Sequence, residues 1–357
     1  SVLKLKCSDL IRKEKIYFVN SSFFNCNYRV YYIKKMKKNQ ELKLTEVQKI
    51  EKLKLSQIKY FELFKGVFLN NKIKVTKNTI DRSKECGSFV LFKATEKLDK
   101  YKIHNANFCK HRFCPMCAKR KALKDALALT CMIQYVEEIK KRQFIFLTLT
   151  VPNIVGDGLD NKIREMNKGW QKLIRREKFI KAVHGYVKKL EVTFNEKEHT
   201  YHPHFHILLS VDRNYFTNPK KYLKHSEWLN EWCAVMDDES ITQVDIRTFR
   251  KKNEKPYSAV NELTKYIAKD SNYLISEDVF VVFYQALTKK RMFTFGGDFK
   301  KARDLYKKGE LDYYIEQDET LWYWLISMRW VSGNKYQEFQ KEVLKNQVKD
   351  DIKQDLF

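Results

Sequence analysis

The chain has 357 residues, 43% hydrophobic and 14% aromatic, which is enough apolar material for a full core in two or three structural units and excludes a disordered chain. Seventy Lys and Arg against 44 Asp and Glu leave a net charge of +26, which points to a polyanion, with nucleic acid favoured over an anionic membrane surface. No run of 18 apolar residues and no secretory signal pattern is present, so a spanning or exported protein is not expected, and the start at Ser1 rather than Met suggests a trimmed or incomplete chain.

Residues 1–80 are Lys-rich, with a strand-like run at 16–19 and a helical pattern over 44–64, and carry no recognisable chemistry. Residues 81–140 form a cysteine-bearing module. Cys109-x4-Cys114-x2-Cys117 supplies three thiols at knuckle spacing, with Cys86, followed by Gly87, as a natural fourth ligand and His111 as the alternative. With eight cysteines in a chain of this size, such a cluster reads as a cytosolic structural zinc site rather than a disulfide framework. Lys110, Arg112, Lys119, Arg120 and Lys121 surround it, so Arg112, Lys119, Arg120 and Lys121 are candidate DNA contacts. A helix is expected over 119–140.

The run QFIFLTLTV at 143–151 reads as a strand, with Ile145, Leu147, Leu149 and Val151 on one face and Thr148 and Thr150 on the other, stopped by Pro152-Asn153. A helix over 161–179 follows, then strands over 185–194 and 204–211 joined by a polar turn into an antiparallel hairpin. Further on the pattern predicts a long helix over 258–273 and a strand pair over 280–295 ending in Gly296-Gly297. The last part, 312–357, is expected to be helical, with the aromatics of 321–325 as core. This gives an α+β fold, an antiparallel sheet with helices on one face, divided into units 1–80, 81–140, 141–311 and 312–357.

Five of the eight histidines fall between His184 and His206, and three alternate in Tyr201-His202-Pro203-His204-Phe205-His206. On a strand the side-chain period is two, so His204 and His206 share a side while Phe205 points to the other. On the partner strand Glu191 faces the same way, completing a two-histidine, one-carboxylate set suited to Mg²⁺ or Mn²⁺ with substrate phosphate, or to Zn²⁺ in hydrolases. His202 or His199 could replace Glu191. Along the helix over 258–273, Glu262, Tyr266 and Lys269 share one face, and Val260, Leu263 and Ile267 form a docking stripe. A tyrosine hydroxyl, with a pKa near 10, becomes a nucleophile when a cation such as Lys269 stabilises its phenolate.

The order FLTLTVPN (146–153), LEVTFN…YHPHFHILL (190–209), ELTKYIAK (262–269) resembles the three motifs of HUH endonucleases, most closely the replication initiator (Rep) proteins of small rolling-circle plasmids of Gram-positive bacteria. CPMC with its basic tail (114–121) adds to the likeness, which runs from about Cys86 to about residue 315; residues 1–80 carry no matching motif. The resemblance implies that His204 and His206 hold the catalytic metal. It also implies that Tyr266 attacks a phosphodiester of single-stranded origin DNA, leaving a 5′-phosphotyrosine and a free 3′-OH. Some relatives carry a second tyrosine one turn later; here Lys269 and Asp270 stand there, and Tyr273 lies two turns on, roughly 10 Å along the axis. Glu262 is therefore the implied general base for the terminating cut. A cytoplasmic bacterial protein working on single- and double-stranded origin DNA with a host helicase and polymerase, and without a membrane, is also implied. The competing readings are an HUH transposase or relaxase, and a non-enzymatic zinc-bearing DNA-binding protein with structural histidines.

Overall fold

In the computed structural model the described residues are 45–248, 260, 263, 270–315 and 320–344. The expected strand at 16–19 and most of the expected helix over 258–273, with Glu262, Tyr266 and Lys269, lie outside them.

The chain enters through helix α1 (Glu46–Leu69) and α2 (Lys77–Glu85), the latter capped by Thr76, whose hydroxyl accepts from the Thr79 amide. Strands β1 (Phe89–Ala94) and β2 (Tyr101–Ala106) form a hairpin. The long α3 (Pro115–Glu138) starts with proline in its first turn, where the missing N–H costs nothing. β3 (Arg142–Thr150), α4 (Leu159–Leu173) and the short α5 (Glu177–Ala182) lead to the hairpin β4 (Val183–Asn195) and β5 (Thr200–Asp212). α6 (His225–Met236), β6 (Val244–Thr248), α7 (Asp270–Tyr273), α8 (Glu277–Leu287), β7 (Phe293–Gly297) and α9 (Asp298–Lys308) follow. The chain closes on β8 (Trp324–Val331) and β9 (Lys335–Val343).

Two antiparallel sheets result, β6-β3-β5-β4-β7 and β2-β1-β8-β9. The expected helix at 119–140 and the strands at 143–151, 185–194 and 204–211 are found with small shifts of their ends, the single helix expected over 161–179 is broken into α4 and α5, and β4 and β5 run further into the turn than expected.

Three expectations are corrected. Residues 280–287 are helix, not strand. Ser276 caps α8 by accepting from the Val279 amide, Glu277 and Asp278 fill its first turn, and its buried positions Val279, Phe280, Phe283, Tyr284 and Leu287 recur at helical spacing. Within the described residues the C-terminal part has one 3-10 turn, Asp312–Tyr314, and otherwise is strand rather than α-helix. β8 and β9 form a hairpin around Gly333 and Asn334, both at positive φ, and β8 pairs with β1 in register Phe89↔Arg329. Helices also cover both faces of the five-stranded sheet rather than one. Ile145, Leu147, Phe205, Ile207 and Leu209 join the core with Trp170 of α4 and Trp232 of α6. Phe144, Phe146, Val187 and Leu208, on the opposite face, join Met132 and Ile133 of α3 and Phe299 of α9.

Candidate metal centres

The second face of the large sheet changes character halfway along. Phe144 and Phe146 are followed by Thr148 and Thr150 on β3, Leu208 is preceded by His206 and His204 on β5, and Val187 is followed by Lys189 and Glu191 on β4. Positions two apart share a face, so the apolar cover ends and a polar floor begins across three adjacent strands.

The register sets Glu191 opposite His204, and Lys189 opposite His206. The ligand atoms of Glu191, His204 and His206 lie within 4.8 Å of one another, with His206 Nε2 3.5 Å from Glu191 Oε2. Of the alternatives, His202 stacks on His204 at 5.2 Å between ring centroids and His199 sits in the exposed turn, but neither belongs to the converging set. Each imidazole is braced from behind: His204 Nδ1 donates to the His202 carbonyl at 3.1 Å, and the Thr148 hydroxyl lies 3.3 Å from His206 Nδ1. Such bracing leaves Nε2 as the nitrogen offered to a cation. Burial lowers the pKa of His204 below the usual histidine value although Glu191 pulls the other way, and burial with the neighbouring His204 lowers that of His202. A neutral ring is the form a metal needs.

Sequence reasoning passed over Lys189. Its side chain is only 1% exposed, and its ammonium donates to Glu191 Oε2 at 3.2 Å, balancing the carboxylate from within the sheet. Lysine in a strand ordinarily reads as a solvated edge, and the one available signal was its place between Val187 and Leu190 in an otherwise buried strand.

Glu262, Tyr266 and Lys269 lie outside the described residues. Val260 and Leu263 are helical and fully buried against this same face, in the cluster with Phe146, Val187 and Leu208. Tyr273 is buried, its hydroxyl donating to the Phe113 carbonyl at 3.0 Å.

The second centre is built where α2 ends, β2 runs out and α3 begins. Cys86, Cys109, Cys114 and Cys117 are buried, unpaired by disulfides, and their sulfurs lie within 4.8 Å of one another. Sγ–Sγ distances are 3.6 Å for Cys86–Cys117 and Cys109–Cys117 and 3.5 Å for Cys114–Cys86. A tetrahedral ion with bonds of about 2.3 Å to sulfur has edges of about 3.8 Å, so the set fits such an ion closely. Amides of Cys109, Lys110 and His111 point at Cys86, Cys117 and Cys109 sulfurs at 3.4, 3.2 and 3.5 Å, as thiolates require. Without a cation the charges cannot coexist. The contact with Cys109 pushes Cys86 up and burial pushes Cys114 up, while the sulfur hydrogen bond from Cys114 holds Cys109 far below the thiol range. Gly87 turns the chain behind Cys86 at φ +72, where a Cβ would meet Met116 Sδ at 2.2 Å.

His111 is not part of the sulfur set; the Tyr60 hydroxyl lies 2.6 Å from its Nδ1, amid Phe64, Phe113 and Tyr284. Burial lowers its pKa to about 4. The unfolded chain therefore binds this proton more readily than the folded one, and the stability that His111 contributes above pH 6.5 is lost as pH falls towards 4. Acid titration of the unfolding midpoint should show a fall across that window that is shallower in His111→Phe. Equal slopes would count against this account.

Of the candidate DNA contacts, Arg112 is half-buried and donates to the carbonyls of Leu287 and Lys290, tying the cysteine turn to the end of α8. Arg120 lies over the Phe108 ring at 4.7 Å, Lys121 pairs with Asp125, and Lys119 lines a surface groove with Leu53 and Leu123.

The family described as "Replication protein" matches residues 100–323, well over half of the chain. Among curated relatives, Protein rep of Staphylococcus aureus is 45% identical over 203 residues, 57% of this chain and 87% of that protein. Protein rep of Bacillus amyloliquefaciens is 34% identical over 253 residues, 65% of this chain and 74% of that protein. Protein rep of Streptococcus pneumoniae is 31% identical over 253 residues, 70% of this chain and 77% of that protein. No solved structure matches. The matched span takes in both the histidine strand and three of the four clustered cysteines, and the chain belongs to the Replication protein (Rep) family.

Proposed function

We propose that this protein initiates rolling-circle replication of a small plasmid by nicking single-stranded origin DNA through Tyr266, and later rejoining it, on an HUH-type site. The observation that carries the reading is the convergence of Glu191, His204 and His206 on the sheet face against which Val260 and Leu263 pack. Tyr266 follows Leu263 by three residues in the sequence.

A divalent ion, Mg²⁺ or Mn²⁺, held by Glu191, His204 and His206 would supply Lewis-acid polarisation of the scissile phosphate. Tyr266 Oη forms a bond to phosphorus as the bond to the 3′-oxygen breaks; that oxygen takes up a proton and becomes a primer terminus for a polymerase. Lys269 stabilises the phenolate before attack. The 5′-phosphotyrosine keeps the energy of the phosphodiester, so the strand can be resealed. For the terminating cut Glu262 takes a proton from the attacking water. Tyr273 plays no part as a second nucleophile, in keeping with its buried hydroxyl.

In this reading residues 141–311 are the nicking and joining unit. The four cysteines hold a structural Zn²⁺, and Arg112, Lys119, Arg120 and Lys121 belong to the DNA-facing side of that module. Residues 312–357 complete its sheet through β8 and β9. A cytoplasmic location and recruitment of a host helicase and polymerase follow from the same assignment. Among the described residues no helix is long and apolar enough to cross a membrane.

The test is incubation of the full chain with 3′-end-labelled single-stranded origin DNA and Mn²⁺. A denaturant-resistant protein–DNA adduct is expected, lost in Tyr266→Phe, while Glu262→Ala nicks normally but fails to terminate. Tight binding without an adduct would favour the non-enzymatic zinc-bearing binder instead. Equal loss of both steps in Glu262→Ala would remove its role as the terminating base.

A further inference from the structure

A cavity of about 520 Å³ opens between the cysteine turn with the start of α3 on one side and the α8–β7 connection on the other. Lys110, Arg120, Lys121, Lys124, Lys189 and Arg291 line it, and of its lining residues only Asp125 carries a carboxylate, itself paired with Lys121. Two further basic lining residues are used in building it. Arg112 reaches across to the carbonyls of Leu287 and Lys290, and Lys290 pairs with Asp160 at 2.6 Å. The groove thus has fixed walls, braced by one guanidinium that spans them. Phe108 and Phe293 also line it, with the Arg120 guanidinium over the Phe108 ring at 4.7 Å.

The inner end of this groove is Lys189, whose ammonium lies 3.2 Å from the carboxylate of Glu191. The groove and the Glu191–His204–His206 centre therefore share a wall, and whatever occupies the groove ends beside the metal ligands.

We propose that this groove is a subsite for the phosphodiester backbone of a single DNA strand running up to the scissile phosphate, with Lys189 as the positioning cation at the junction. The proposal rests on the nicking reading for the identity of the strand. A row of cations with interleaved rings is what sequence-tolerant binding of single strands uses, phosphates meeting the charges and bases meeting the aromatic faces. The volume is that of a pocket for one or two nucleotides and has no room for a duplex. Lys110, Lys121 and Arg291 are exposed at the mouth, so the charge is greatest where the strand enters and narrows to one buried ammonium at the metal.

The test measures affinity of the full chain for a fluorescein-labelled thymidine 15-mer and for a duplex of the same length, across a salt series without divalent metal. The triple variant Lys110→Gln, Lys124→Gln, Arg291→Gln is compared with Lys52→Gln, Lys59→Gln, Lys65→Gln on α1, both checked for an unchanged unfolding midpoint. For the single strand the groove variant should weaken binding at least tenfold at low salt and flatten the log–log salt slope by about 2, near 0.7 for each lost phosphate contact. The α1 variant should match wild type. Lys189→Met, tested separately, should weaken single-strand binding while tightening Mn²⁺ binding, because it removes a positive charge beside the metal ligands; a purely structural role would not tighten the metal. Equal salt slopes in groove and α1 variants, or loss confined to the duplex, would overturn the proposal. Because this readout involves no chemistry, it stands or falls separately from the adduct assay.

Discussion

His206→Ala is expected to reduce Mn²⁺-dependent cleavage by about 10³-fold or more while leaving the unfolding midpoint within a few degrees of wild type. The side chain is 22% exposed at the open end of the polar floor, so its removal leaves no sealed void in the core. What it removes is one of the three side chains proposed to hold the ion, and with it the Nε2 that sits 3.5 Å from Glu191. Changing a group that merely orients a ligand costs roughly 10–100-fold in affinity or activity, and losing a ligand costs more. Thr148→Val, which leaves the imidazole but takes away the hydroxyl beside its Nδ1, should therefore fall in that smaller range. Titrating Mn²⁺ at fixed DNA separates the two, since raised metal should rescue Thr148→Val far more fully than His206→Ala. Wild-type cleavage by His206→Ala at ordinary metal concentrations would remove the site from the mechanism.

The second large effect concerns the sulfur centre. Cys114→Ser should cost on the order of 3–5 kcal/mol and lower the unfolding midpoint by roughly 10 °C, because a structural zinc site contributes folding energy outright. The loss would spread beyond the turn itself. Arg112 leaves it to hold the end of α8, Phe113 accepts from Tyr273, and buried Lys54 donates to the Cys86 carbonyl at 2.6 Å. Elemental analysis should find about one zinc per wild-type chain. A variant with unaltered metal content and unaltered midpoint would contradict the assignment.

The hairpin of the candidate metal site was legible in the chain because strand alternation and the placing of its polar side chains coincide there. The histidines, Glu191 and Thr148 fall on one parity and the apolar residues on the other, so a single register fixes both. The cysteine set was legible from spacing, and Gly87 explains why Cys86 rather than His111 completes it. Of the strand pair expected over 280–295, the second stands as β7, but the first is α8, because the Ser276-Glu277-Asp278 start signal outweighs its aromatic and β-branched residues. The hairpin of β8 and β9 was missed because the Gly333-Asn334 turn was passed over in a segment rich in Trp and Lys. Buried lysines have no pattern of their own. Lys188 points away from Lys189 into the other core, where Asn167 accepts from its ammonium at 2.7 Å and burial lowers its pKa to about 7. Beyond their place in an apolar strand, nothing local in the sequence distinguishes either from a solvated lysine.

The pairing of β1 with β8 joins positions about 240 residues apart, Phe89 with Arg329. During synthesis the sheet beside the sulfur centre must therefore wait, with one edge of β1 bare, until β8 has left the ribosome. A nascent chain carries an unsatisfied strand edge while the residues between β1 and β8 are translated, a state prone to pairing with a neighbour's strand. Ribosome-bound or prematurely ended products lacking β8 are thus the species in which aggregation should begin, and full-length chains the first in which the region becomes resistant to protease.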